Sequence, residues 1–366
     1  MIGFTLTIIH SANLEAGCVA LRLCYIYDME AVIIAGGYGT RLYPLTLERP
    51  KSLLPFLDRP IIEYQLDLAR EAGCQRAFAA TGHMSADVET YVDSCRFDIH
   101  LVTEEEPLGT GGAVALALRS SNVEPPVMVL NGDIVCDIAP RSLLETHKRL
   151  GAWLTIAAAD VLDASSFGTL TIDETESLLA FNEKLSQDAG EEPTPVNAGI
   201  YLMGEKACAE LASREGAFSL EEDFFPELAR QGLIRVHRHK GFWRDVGTLD
   251  RYFKTQFDIL GYFLTMGREN FGGDRDDYAL FRDFIYIHQD AQLGDNCDLF
   301  HRVILMRGAK LGNNCYLRNC IVLPGGIVGN QCRLESVLVD SDTTIPDGTE
   351  AESRAFSGDR EEVFTG

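Results

Sequence analysis

One short stretch gathers residues suited to phosphate chemistry: AGGYGTRLYPLTLERPKSLLP, residues 35–55, directly after the apolar run AVII. Glycines let backbone N–H groups approach a phosphate closely, and successive N–H groups form an anion nest. Arg41 adds a planar fork of donors that matches phosphate oxygens, and Lys51, behind Pro50, adds a compact positive charge. A glycine loop, an arginine and a lysine behind a buried strand together suit a nucleoside triphosphate. The loop is neither common nucleotide fingerprint. No acidic residue follows a second strand at the distance a GxGxxG motif requires, and Gly39 leads into Thr-Arg rather than Lys-Ser/Thr. Two carboxylates also stand out, Asp133 at a strand end in LNGD and Asp245 in GFWRDVGT. They are so far apart in sequence that only folding could bring them together.

The elements around these residues read as an α/β fold. EAVIIAGG (30–37) is a buried strand emptying into glycines. RPIIEYQLDLAREAG (59–73) has helical periodicity and a Gly73 stop. RAFAATG (76–82) is a strand, SADVETYVDSC (85–95) a helix, and DIHLVTEEEPLGTGGAVALALRS (98–120) runs strand, loop, helix. PVMVLNGDIV (126–135) is a strand that meets Asp133 near its end. This alternation predicts a Rossmann-like, mostly parallel mixed sheet covered by helices, with ligands bound beyond the carboxyl ends of the strands. SLEEDFFPELARQG (219–232) is predicted as one helix with an acidic first turn, and LDRYFKTQFDILGYFL (249–264) as another.

Past a Gly/Asp-rich stretch the chain repeats itself. LGDNCDL (293–299), LGNNCYL (311–317) and VGNQCRL (328–334) align with a period of about 18, three hexapeptides, which marks a parallel β-helix. Coils with open edges must stack to bury their inward faces. Cys297, Cys315 and Cys332 then fall one above another as small buried residues. The predicted organisation is an accessory extension over 1–28, a catalytic domain over 29–265, a linker over 266–280 and the β-helix over 281–366.

Composition narrows the classes. The chain of 366 residues is long enough for about two domains. A formal net charge of −23 argues against a nucleic-acid binder but not against a small anion in a local positive pocket. No apolar run reaches the roughly 18 residues of a membrane span. The ten cysteines form no CxxC pair, and no basic, signal-like start precedes Met29, so a cytoplasmic, reducing setting is expected. His237 and His239 alternate on one strand face, and a solvated edge strand is expected there rather than a metal pair.

Taken in order, GGYGTRLYPLT, RPKSLLP, EEEPLGTGGA (104–113), LNGD (130–133), FGTL (167–170), FNEK (181–184), VNAGIY (196–201), FSLEEDFFPEL (218–228) and GFWRDVGT (241–248) resemble the signature of the sugar-1-phosphate nucleotidyltransferases. That resemblance covers roughly 29–260 and implies that an NTP and a sugar 1-phosphate give an NDP-sugar and pyrophosphate. A C-terminal left-handed β-helix is also a feature of that family. The resemblance implies Arg41 and Lys51 as the catalytic cations. It places Ala35, Gly36, Gly37, Gly39, Thr40, Glu104, Gly109, Thr110 and Gly132 at the nucleotide. Gly168, Glu183, Lys184, Asn197 and Ala198 fall at the sugar phosphate, and Asp133 and Asp245 at Mg2+.

Glu104 bears on the base. A carboxylate only accepts, and guanine offers N1–H and an amino group side by side, so GTP is favoured. EPLGTGGA and NAGIY are similar to mannose-1-phosphate and heptose-phosphate guanylyltransferases. GDP-mannose synthesis is therefore the expectation. A heptose-1-phosphate guanylyltransferase, a glucose-1-phosphate uridylyl-, thymidylyl- or adenylyltransferase, and a non-catalytic sensor are the alternatives. The β-helix fits homo-oligomerisation better than acyl transfer, for which His301 is the lone candidate.

Overall fold

The structure, a computed structural model, describes residues 29–82, 84–121, 123–182, 192–265, 278–282 and 284–364. The chain opens with β1 (Glu30–Ile34), the hairpin β2 (Pro55–Phe56) and β3 (Arg59–Pro60), α1 (Ile61–Ala72), β4 (Arg76–Thr81), α2 (Ser85–Ser94) and β5 (Asp98–Thr103). It continues through α3 (Gly109–Ser120), β6 (Val127–Asn131), β7 (Ile134–Cys136), α4 (Pro140–Leu150), β8 (Leu154–Val161), β9 (Thr169–Ile172), β10 (Leu178–Asn182) and β11 (Thr194–Met203). Then come α5 (Glu205–Ala212), α6 (Phe225–Arg230), β12 (Ile234–His239), β13 (Trp243–Asp245) and α7 (Leu249–Thr265).

β1 lies between β4 and β6, parallel to both, and β5 extends this half in parallel. β11 turns the sheet antiparallel by pairing with β8 along one edge and, along the other, with β6 and then with β9 at Val196. Successive residues of β1 feed opposite faces. Val32 joins the apolar layer under α3, α5 and α6, while Ala31 and Ile33 join the layer under α1 and α4. A strand buried on both faces needs the unbroken apolar run that AVII supplies. α1 stops at Gly73, whose left-handed backbone lets its N–H cap the helix carbonyls.

The C-terminal part starts with β14 (Tyr278–Arg282) antiparallel to β15 (Ile285–His288). β16 (Gln292–Leu293), β17 (Asp298–Leu305), β18 (Lys310–Leu311), β19 (Tyr316–Val322), β20 (Ile327–Val328), β21 (Arg333–Val339), β22 (Thr344–Ile345), β23 (Glu350–Ser357) and β24 (Arg360–Val363) follow. Alternate strands form two parallel sheets, β15-β17-β19-β21-β23 and β16-β18-β20-β22, as a stacked coil requires. Leu299, Leu317, Leu334 and Ala351 lie in register. The repeated turns explain the motif: Asn296, Asn314 and Gln331 take positive φ, and Asn313 and Asn330 each accept, through Oδ1, the backbone N–H of the coil before. The cysteines stack as expected, Cys297, Cys315 and Cys332 each directing Sγ at a carbonyl of the next coil at 3.0 to 3.2 Å; all three are free thiols, Cys315 and Cys332 buried and Cys297 half-buried.

The coil is packed against the first part of the chain. A third apolar cluster joins Leu42, Leu45, Leu54 and Phe56 to Tyr252, Phe253 and Phe257 of α7 and to Ile304, Ile321, Leu338 and Phe364. Polar ties border it: Arg49 to Ser341 and the buried Asp340, and Asp58 to the Tyr286 hydroxyl and the Arg307 N–H. Among the described residues no helix is long and apolar enough to cross a membrane.

Two readings of local structure change. Residues 219–232 are not one α-helix, because Leu220–Phe224 form a π turn before α6. β12 pairs along one edge with β8 and meets only a short bridge, Ser177 to Arg235, on the other among the described residues, and its histidines are half-buried rather than solvated. α4 covers that face, so His237 bonds Ser142 and Thr146, and His239 lies 2.9 Å from Asp137.

Candidate active site

The glycine loop leaves the carboxyl end of β1, where Ala35 N–H still bonds Ala80 O at 2.8 Å. Gly39 has φ +63°, a left-handed conformation that favours glycine, and its carbonyl accepts from Leu42 N–H and the Thr46 hydroxyl. That bend starts a short 3-10 turn, Thr40–Leu42, and a second one, Lys51–Leu53, starts after Pro50. Leu42, Leu45 and Leu54 are buried in the cluster shared with the coil, while Arg41 is exposed. The alternation of leucines and cations thus pins the loop from behind and leaves its charges in front.

Lys51 forms a short ion pair with Asp133, in the turn between β6 and β7. β13 pairs antiparallel with β7, setting Asp245 opposite Ile134, and Val246 N–H donates to Asp133 O at 2.9 Å. This pairing brings the two distant carboxylates together. Burial first, and then the Asp133 carboxylate, lift the Asp245 carboxyl above its usual range, while Lys51 and Arg251 pull it down. Asp245 Oδ1 is held by Gly247 N–H (3.0 Å) and Arg251 (2.7 Å), which leaves Oδ2 for a cation. A β-carbon added at Gly247 would stand 3.5 Å from Arg41 Nη2, so the second loop cation reaches the same corner.

Beside this cluster lies a cavity of about 160 Å3 lined by Ile34, Ala35, Gly37, Lys51, Ser52, Thr110, Asn131, Gly132 and Asp133. Glu104 stands against the loop at Gly36, accepting from Leu108 N–H at 2.9 Å, and burial raises its carboxyl. Any side chain at Gly36 would collide with it, since an added β-carbon would stand 2.7 Å from Glu104 Oε1. Gly109 and Thr110 begin α3. Gly168 O accepts from Asn197 N–H at 2.9 Å, and Ala198 O accepts from Trp243 Nε1–H at 2.9 Å, which ties the 167–170 loop and β11 to β13. Glu183 and Lys184 lie outside the described residues.

Three residues of this site had no role in the sequence reading. Ser52 and Asn131 line the cavity, and the Ser52 hydroxyl and Asn131 Oδ1 are buried without a protein partner. Both sit inside motifs that drew attention to their neighbours, Lys51 and Asp133. Arg251 holds Asp245 and stacks over Phe167 at 4.4 Å, a pairing visible only in three dimensions.

Residues 30–261 match the family described as Nucleotidyl transferase, and 296–360 match that described as GlmU-like, C-terminal hexapeptide. The chain belongs to the nucleotidyl transferase family, with a hexapeptide-repeat part behind its catalytic fold. A mannose-1-phosphate guanyltransferase of Pichia angusta is 30% identical, over 87% of this chain and 93% of that protein. The mannose-1-phosphate guanylyltransferase catalytic subunit beta of Danio rerio is 29% identical over 85% and 90%. The crystal structure of HddC from Yersinia pseudotuberculosis, complexed with GMP-PN, superposes with a TM-score of 0.54 at 26% identity, covering 63% of this chain and 99% of that one.

Proposed function

We propose that this enzyme is a mannose-1-phosphate guanylyltransferase, forming GDP-mannose and pyrophosphate from GTP and mannose 1-phosphate with Mg2+. The observation that carries the reading is the meeting of Asp133, Asp245 and Lys51 beside the glycine-loop cavity. The names of the curated relatives supply the sugar and the base, and the GMP-PN complex of the solved relative agrees with the base.

The attacking sugar phosphate is already an anion, so no general base is needed, and catalysis rests on positioning and charge. Its oxygen forms a bond to the α-phosphorus as the bond to the pyrophosphate oxygen breaks. Arg41 and Lys51 neutralise the triphosphate and the departing pyrophosphate, and donors of this kind contribute about 3 kcal/mol each where they act on the transition state. Asp133 and Asp245 fit Mg2+, an oxygen-seeking ion that takes one or two carboxylates plus substrate phosphates. When bound, that ion draws charge from the phosphate oxygens. Glu104 accepts from guanine, while Asn197, Ala198, Gly168, Glu183 and Lys184 form the sugar-phosphate side.

The test crosses four NTPs with mannose, glucose and heptose 1-phosphates and reads pyrophosphate release by the full chain. GTP with mannose 1-phosphate should give the highest kcat/KM, and EDTA should abolish turnover until Mg2+ is restored. Another preferred pair would overturn the substrate assignment, and no release with any pair would overturn the enzyme.

A further inference from the structure

Glu221 takes no part in the reaction as derived above, yet three hydroxyl groups donate to its half-buried carboxylate. Oε2 accepts from Thr110 (2.6 Å) and Ser219 (2.9 Å), and Oε1 accepts from Tyr201 (3.1 Å). The π turn Leu220–Phe224 sets the residue in place. Ser219 caps it, accepting from the N–H groups of Glu221 and Glu222, and just before it Phe218 O accepts from Gly111 and Gly112 at the start of α3. Single π turns inside helices often mark functional positions.

The direction of each bond is determined. A phenol has one proton. Tyr201, which is fully buried, gives its proton to Glu221 and must accept from Asn197 Nδ2 at 2.8 Å. That contact fixes which way the Asn197 amide points, and its Oδ1 takes Gly199 N–H at 3.1 Å. On the other arm Thr110 gives its proton to Glu221 and accepts from Leu220 N–H at 2.9 Å. Two chains of donors, one from each side of the site, therefore end on a single carboxylate.

We propose that Glu221 is a positioning residue that sets the nucleotide-side Thr110 and the sugar-side Asn197 against each other through one hydrogen-bond array. The inference rests on the roles proposed above for Thr110 and Asn197. Each arm can be cut alone. Tyr201→Phe removes the proton given to Glu221 and should raise KM for the sugar 1-phosphate roughly 10-fold, leaving KM for the NTP within about twofold. Thr110→Val should do the reverse. Glu221→Ala should raise both, and adding Tyr201→Phe to it should raise KM for the sugar phosphate no further. Glu221→Gln keeps the volume but offers one acceptor oxygen, so it should spare one arm. Normal KM values in Glu221→Ala, or single-arm variants that shift both substrates alike, would overturn the array. Wild-type turnover with any NTP–sugar pair tests the proposed reaction separately, so failure of the variants in an active enzyme would count against this inference alone.

Discussion

Lys51→Met separates a catalytic cation from a structural counterion. Methionine keeps most of the stem and removes the charge. In the fold the Lys51 side chain is 15% exposed and that of Asp133 21%, so the pair is only partly screened by water. Two unit charges about 4 Å apart attract by about 4 kcal/mol at an effective dielectric of about 20. Taking both out of water offsets much of that gain, and with the lysine gone Asp133, still in contact with water, can be hydrated or take up a proton rather than stay a bare buried charge, so the folded state depends little on the pair. The transition state differs, because charge grows on pyrophosphate as it leaves and its stabiliser is already in place. Losing such a donor costs about 3 kcal/mol, a kcat lower by about 150-fold. The assay is pyrophosphate release at saturating GTP, mannose 1-phosphate and Mg2+, with Tm measured beside it. The expected result is a collapsed kcat with Tm shifted by a few degrees at most. A kcat within threefold of wild type and a markedly lower Tm would refute the reasoning and make Lys51 a structural partner of Asp133.

Glu104→Gln exchanges an acceptor for a donor at one oxygen, so the ratio of kcat/KM for GTP over UTP should fall about 10-fold, and an unchanged ratio would mean the base is read by other groups. Asp340 is buried against Arg49, and burial outweighs that arginine to raise its folded pKa above the unfolded value of 3.8. Its contribution to stability is therefore full below the unfolded pKa and lost as pH rises through the folded one. Wild-type Tm should fall relative to Asp340→Asn as pH climbs from about 4 and then run parallel to it; parallel curves throughout would contradict the sign.

Much of this architecture can be read from the residues alone. AVII, short, without a polar residue and closed by glycines, reads as a strand covered on both faces, and those glycines predicted a backbone that bends towards a ligand. The repeat at 293, 311 and 328 predicted stacked coils because each carries the same turn asparagine or glutamine and closes on the same leucine, Leu299, Leu317 or Leu334. Contacts between distant segments stayed hidden. Asp133 and Asp245 were legible as candidates, but their meeting depends on β13 pairing with β7. Arg251 looked like one more charge on a helix until Asp245 and Phe167 lay beside it. The π turn was illegible for a similar reason. Its acidic run suits an ordinary helix start, whereas Phe224 and Phe225 are both fully buried and Glu221 is drawn inward by three hydroxyls. His237 and His239 read as a wet edge because nothing in their own strand reveals α4 across it.

The leucines behind the cationic loop have a practical bearing. Leu42, Leu45 and Leu54 share their apolar setting with side chains from several successive coils. A truncated protein ending at Thr265 would leave that wall bare, and the backbone between Arg41 and Lys51 would lose its footing although neither residue had been touched. Domain-swapping experiments with other hexapeptide proteins would have to supply matching sockets for these three side chains before any comparison of rates could be trusted.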